Sequence, residues 1–301
     1  MNIIGRKNLF FIISGIIIIP GLISLFMFGL KLSIEFTGGS RMELGYKNIK
    51  QISRSKIEDV YKKEKIKIST VSIVNNTVSI RSSQIDQKKR SAIEKDLGVN
   101  NKDITVKSFD TVGPTIGKET ETNALKAVLI ASVAITLYIA FTFRKVSRPV
   151  ASWKYGICAV IALLHDVLVV AGIFSILGHF FGVEADSLFI TALLTVMGFS
   201  VHDTIVVFDR IRENLHKNYD NPFDKVVNNS VLETFNRSVN TSLTVVIVLF
   251  TLLLFGGEGI RWFVVALLIG IISGTYSSIF NASPLLVVWY EWDKRRKNKN
   301  K

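Results

Sequence analysis

The chain has 301 residues, of which 49% are hydrophobic and only 20% charged, and its mean hydropathy of +0.37 is too apolar for an ordinary soluble enzyme. A net charge of +13 would suit nucleic acid, but many of the basic residues flank apolar runs, where membrane topology accounts for them. The single cysteine, Cys158, lies in an apolar run, which excludes an intrachain disulfide and argues against redox chemistry.

In chain order, the first apolar run is residues 9–30, behind Arg6 and Lys7. Its core is too long for a secretory signal and no small-x-small cleavage site follows, so an uncleaved anchor is expected. Next comes Glu35-Phe-Thr-Gly-Gly-Ser40, where Gly38 and Gly39 permit a tight or bulged exit into a strand. Residues 40–46 alternate like a strand, 49–63 are amphipathic and helical, and 66–74 with 77–81 form a hairpin across Asn75-Asn76. Residues 84–97 read as a second helix and 103–109 as a last strand. The order βαββαβ predicts a ferredoxin-like α+β sandwich over residues 31–120. This segment has no Cys, no His and no carboxylate cluster with ligand spacing, so neither metal nor catalysis is expected there.

Gly113-Pro-Thr-Ile-Gly117-Lys118-Glu119 is not a phosphate loop, which needs a longer gap between its glycines and Ser or Thr after the Lys. Gly113 and Pro114 read as a second turn. With Gly38 and Gly39 they flank the α+β domain as candidate hinges, which favours a domain able to change its angle to the membrane. Ala at Gly39 is expected to impair function modestly, because a positive φ becomes costly.

Five further apolar runs follow at residues 127–143, 155–177, 188–208, 239–255 and 262–290. Each reaches or approaches the ~20 residues a helix needs to cross a bilayer. The last is long enough to tilt or project, and Pro284 permits a kink in it. Arg144, Lys145, Arg148 and Lys154 lie between spans two and three, and Arg210, Arg212, Lys217 and Lys225 between four and five. The loop 179–187 has no Lys or Arg, which places both termini in the cytoplasm and residues 31–120 outside it. The divisions expected are 1–30, an N-terminus and first span; 31–120, the α+β domain; 121–291, spans two to six; and 292–301, a basic tail for lipid headgroups. Nucleic acid is not an expected partner.

Polar residues inside the spans carry the functional signal. Ser200, Asp203, Thr204 and Val207 share one helix face in span four, and Arg237, Asn240, Thr241 and Thr244 share one in span five. Asp203 and Arg237 lie at compatible depths, so the two stripes are expected to line a hydrated seam, with a structural ion pair as the alternative. In span three, Asp166 is a candidate for proton transport or for structural pairing. His165 and His202 project about 100° away from their Asp neighbours and read as packing or hydrogen-bonding residues. The stretch 274–284 in span six reads as small and hydroxyl residues for close helix packing. A buried carboxylate whose cationic partner moves can act as a proton-coupled switch. With no ATP site, the proton gradient is the expected energy source and no cofactor is expected.

These residues resemble a family as well. EFTGGS at 35–40, VGPTIGKE at 112–119, LLHDV at 163–167, LLTVMGFSVHDTIVVFDRIREN at 193–214, FNRSVNTSLT at 235–244 and GTYSSIFNASP at 274–284 are similar to SecF. SecF proteins are the smaller of two auxiliary membrane subunits of the bacterial Sec protein translocase. The resemblance implies a six-span half of a resistance-nodulation-division-type bundle in the bacterial cytoplasmic membrane. It implies pairing with SecD, assistance to the SecYEG channel, and a periplasmic domain that uses the proton-motive force to help pull unfolded preproteins. Asp203 and Arg237 match the family's transport residues. Two departures stand out: Glu35 where the family commonly has Asp, and His202, a titratable neighbour of Asp203, where it commonly has Asn. A small-molecule or lipid exporter of the same superfamily is the rival reading, but such exporters usually carry both halves and larger periplasmic domains in one chain. A scaffold whose polar stripes only pack helices is the other.

Overall fold

The computed structural model describes residues 2–47, 53–74, 76–99, 103–142, 150–217 and 221–299. The chain divides into two units, Leu32–Lys126 and the remainder, Met1–Lys31 with Ala127–Lys301. It opens with a 3-10 turn, Ile4–Arg6, and the apolar helix α1 (Lys7–Phe28), which ends at Gly29 in a positive-φ conformation.

The smaller unit starts with a one-turn helix α2 (Ile34–Thr37), capped by the Ser33 hydroxyl, and strand β1 (Gly39–Tyr46). Helix α3 (Arg54–Lys63) begins where the Ser53 hydroxyl accepts from the Lys56 amide; residues 49–52 of the expected helix lie outside the described residues. Strand β2 (Ile68–Val74) starts later than its sequence pattern suggests. The reason is a turn in which Lys65 has φ 56° and the Ile66 amide donates to the Tyr61 carbonyl at 2.9 Å. Strand β3 (Thr77–Ser82) follows, with Asn75 of the connection outside the described residues. Helix α4 (Gln87–Leu97) is set by an Asp86 cap on the Lys89 amide at 2.8 Å and closed by left-handed Gly98. Strand β4 (Ile104–Val112) runs past its apolar pattern because it pairs with β1 as far as Gly39.

The sheet order is β2-β3-β1-β4, antiparallel throughout, which is the arrangement a split βαβ unit gives. Alternation along β1 and β3 sends Met42, Leu44, Val78 and Ile80 to one face, against Ile57 and Tyr61 of α3 and Ile93 and Leu97 of α4. Burial raises the Tyr61 phenol well above its ordinary pKa, and its hydroxyl points at the Met42 sulfur.

Helix α5 (Pro114–Thr142) begins in the smaller unit and passes into the larger at Lys126. The larger unit continues with α6 (Ser152–Phe181), α7 (Ser187–Lys217) and α8 (Phe223–Phe255). After a 3-10 turn come α9 (Arg261–Ser277), a π-helical turn (Ser278–Ala282) and α10 (Ser283–Lys299). Among the described residues, six helical stretches are long and apolar enough to cross a membrane, the last a compound of α9, the π-turn and α10. Pro284 is the second residue of α10, inside this compound helix, and the wider turn that ends just before it accommodates its missing amide.

Helix α7 packs on α6, α8 and α9. A Cβ at Gly270 of α9 would stand 2.1 Å from Val196 Cγ2 of α7, so only glycine fits this crossing. At one end of the bundle Lys154 pairs with Asp293 between Trp153 and Trp289, and Lys7 pairs with Glu291 at 2.5 Å. Arg144, Lys145 and Arg148, part of the orientation argument, lie outside the described residues.

Candidate polar site in the helix bundle

The apolar periodicity of α7 is broken on one face by Ser200, Asp203 and Thr204, and that face is turned inward. Ser200, Asp203, Thr204 and Val207 are all buried, and Asp203 is 3% exposed. Hydrocarbon and apolar protein give polar groups nothing to bond, so each must find a partner within the bundle.

Asp166 of α6 has found them. It is fully buried, and its Oδ2 accepts from the hydroxyls of Ser200 (2.5 Å) and Ser277 (2.7 Å). Its Oδ1 accepts from the Ser273 hydroxyl at 2.8 Å and lies 3.0 Å from Nδ1 of His165, which donates when the carboxylate is ionised. With Nδ1 donating, the buried Nε2 of His165 is left without a hydrogen-bond partner, beside the Tyr276 ring. The Ser200 carbonyl accepts from Thr204 (3.1 Å) and Ser278 (3.2 Å), whose hydroxyls lie 2.8 Å from each other. A second pair of side chains, Ser14 of α1 and Asn281 of the π-turn, closes the polar layer with hydrogen bonds of 3.0 and 2.8 Å.

Asp203 is different. Its Oδ2 is buried and has no hydrogen-bond partner among the described residues. The hydroxyls of Ser242 and Thr275, 2.5 Å apart, lie beside it, and Arg237 and His202 are the charged or titratable groups that act on it. A carboxylate with one open oxygen next to two rotatable hydroxyls can take up a proton and release it without dismantling a network. Asp166 cannot.

The two stripes read from the sequence do not face each other. On α8 the buried polar residues are Ser230, Thr234, Ser238 and Ser242, a four-residue repeat. Arg237, Asn240, Thr241 and Thr244 are exposed, one position round the helix, and the described residues show no ion pair between Arg237 and Asp203. His202 is exposed as well, whereas His165 is buried. Sequence reasoning missed Ser242, Ser273, Thr275, Ser277 and Ser278. The four-residue spacing of Ser273 and Ser277 was the available signal, but serine in a span serves packing and hydrogen bonding alike.

In the smaller unit, Gly38 and Gly39 have φ of 70° and 109°. A Cβ at Gly39 would lie 2.6 Å from the Ser82 carbonyl oxygen, and one at Gly38 would lie 3.0 Å from Pro114 Cα. Around Gly113 there is open space. Among the described residues no group of three or more His, Cys, Asp and Glu side chains could hold a metal.

Among the described residues, six spanning-length helices, the buried Asp203 carboxylate with an open oxygen inside one of them and a small inserted α+β unit define a multi-pass membrane protein of the transport class. Residues 92–292 match the family described as protein export membrane protein SecD/SecF, C-terminal, and residues 23–48 match the SecD/SecF GG motif. The chain belongs to the SecD/SecF family of protein-export membrane proteins. It is 47% identical over 304 residues to the protein translocase subunit SecF of Thermobaculum terrenum, covering 97% of this chain and 95% of that one. Against SecF of Anaerolinea thermophila it is 46% identical, covering 97% and 96%. The crystal structure of SecDF from Thermus thermophilus, a translocon-associated membrane protein, superposes with a TM-score of 0.83 at 32% identity. That match covers 97% of this chain but 39% of the SecDF chain.

Proposed function

We propose that this chain is the smaller half of a two-subunit device that uses the proton-motive force to promote preprotein export across the bacterial cytoplasmic membrane. The observation that carries the reading is the unequal polar content of the bundle. Asp203 is buried with an oxygen left open, while Arg237, Asn240, Thr241 and Thr244 are exposed on a helix of membrane-spanning length. Such a stripe is costly against lipid, so another protein helix covers it. The occupant is SecD: SecDF of Bacillus subtilis is 34% identical to this chain over 98% of its length, and the match accounts for 38% of that protein. The remaining length of such fused relatives has room for the other half.

In this arrangement both termini are cytoplasmic and the unit Leu32–Lys126 is periplasmic, where it contacts unfolded preprotein emerging from SecYEG. Asp203 takes a proton, Arg237 responds to the change in charge, and no cofactor beyond the proton gradient takes part. The basic tail holds the lipid surface. The reading is tested by cysteine crosslinking of Asn240→Cys and Thr244→Cys in membranes that also contain SecD. Crosslinks to SecD at both positions are expected. Failure at both, with SecD present at normal level, contradicts the pairing.

A further inference from the structure

The buried polar layer holds two carboxylates, and the proposed function uses one. Their surroundings differ in kind. An ionised carboxylate offers about four lone-pair sites, and Asp166 has donors on all of them: Ser200 and Ser277 on Oδ2, Ser273 and His165 on Oδ1. A proton arriving at Asp166 would have to turn one of these donors away from the carboxylate, whereas Asp203 has an oxygen already open. The donors come from α6, α7 and α9, so the carboxylate joins the helices that meet at the centre of the larger unit. The backbones are close there as well: a Cβ on Gly274 would stand 3.1 Å from Ser200 Cβ and 3.6 Å from Asp166 Oδ2.

We propose that Asp166 is a positioning residue and not a proton carrier, fixing through Ser200 the α7 face on which Asp203 sits. The link is continuous. Ser200 donates to Asp166, and its own carbonyl accepts from Thr204, the residue next to Asp203. The same carbonyl accepts from Ser278, the first residue of the π-turn, which is 2.8 Å from Thr204. Single π-turns often occupy functional sites, because the widened turn breaks helical register. Here it lies directly after the serines that hold Asp166. Among the described residues, the groups near this centre are few. On α6 His165 donates to Asp166, on α9 Tyr276 stacks against His165, and α1 and the π-turn present the uncharged Ser14 and Asn281. Asp203 itself is acted on by the exposed His202 of α7 and by Arg237 of α8, with the uncharged hydroxyls of Ser242 and Thr275 beside it.

The inference rests on Asp203 being the carrier, and the two ideas fail separately. The test is pH-difference infrared spectroscopy on the full chain in liposomes, reading the carbonyl band of protonated carboxylic acids as pH falls. Asp203→Asn should remove a share of the band. If it removes none, the carrier reading itself is wrong. Asp166→Asn should leave that share at full amplitude but move its midpoint pH, since the Asp203 face is released. Ser200→Ala and Ser277→Ala, which keep the carboxylate, should move the midpoint in the same direction by less. These two variants remain informative even where Asp166→Asn fails to fold. A loss of band in Asp166→Asn equal to that in Asp203→Asn shows Asp166 titrating and overturns the proposal. Unchanged midpoints in both serine variants overturn it too.

Discussion

Replacing Gly39 with Ala tests how the smaller unit is built. Gly39 has φ 109°, where L side chains are strained by about 1–3 kcal/mol. The new Cβ would also stand 2.6 Å from the Ser82 carbonyl oxygen, which is backbone of β3 and cannot rotate away. Relief requires β1 and β3 to separate at the Ser40–Ser82 pair that ends their ladder, an overpacking cost of about 1–3 kcal/mol more. The two together give roughly 2–6 kcal/mol, against about 5–15 kcal/mol for the whole stability of a small domain. At about 4–8 °C per kcal/mol, even the lower figure lowers the melting temperature of this unit by roughly 8–16 °C. Gly113→Ala is the internal control, because its Cβ would enter open space, and should change stability by no more than about 0.5 kcal/mol. Hydrogen exchange on the full-length protein reads both, through the β1 and β3 amides. If Gly39→Ala exchanges like Gly113→Ala, the steric reasoning is wrong and the two glycine turns are equivalent flexible joints.

Other expectations follow from the same contacts. Gly270→Ala pushes a methyl into the stiff Val196 side chain and should destabilise the bundle by about 1–3 kcal/mol in detergent melts, with Val196→Ala in the same chain restoring most of the loss. Ile80→Ala empties the fully buried centre of the sheet and should lower stability of the smaller unit by about 2–5 kcal/mol in thermal melts, whereas Asp86→Ala, which removes only the α4 cap, should cost about 1 kcal/mol. Arg237→Lys keeps the charge but loses the planar fork, so partial export is expected where Arg237→Met is far worse.

The membrane architecture was legible in the sequence because hydrocarbon tolerates few charges, and of the six apolar runs four carry none while two carry a single aspartate each, Asp166 and Asp203. The α+β unit was legible because Met42, Leu44, Val78 and Ile80 alternate while Ile57, Val60 and Tyr61 follow helical spacing. Its boundaries were not, since Ser53, Lys65 and Asp86 set them through caps and a left-handed turn that hydropathy does not register. In the bundle, the inward face of α7 could be found by spacing alone. The inward face of α8 could not. Arg237, Asn240 and Thr241 drew attention as the conspicuous polar residues, yet a helix in a half-assembly has two polar faces to satisfy, and the modest Ser230, Thr234, Ser238 and Ser242 are the ones turned inward. The serines that hold Asp166 were hidden for a similar reason. A hydroxyl can bond its own helix, as Ser242 does to the Ser238 carbonyl, so its presence in a span says little until a carboxylate is seen beside it.

The central claim is that Asp203 carries the proton and that Arg237 is its functional partner, and proton-gradient-dependent preprotein export in inverted membrane vesicles tests it most directly. Asp203→Asn keeps size and hydrogen bonding but removes titration, so export should lose its dependence on the gradient while detergent melting stays near wild type. Arg237→Met should do the same, and the double variant should remain inactive. A structural ion pair behaves in the opposite way: each single variant leaves an uncompensated charge and unfolds the protein, while removal of both restores it. Recovery of gradient-driven export in the Asp203→Asn, Arg237→Met double variant would contradict the proton-carrier mechanism.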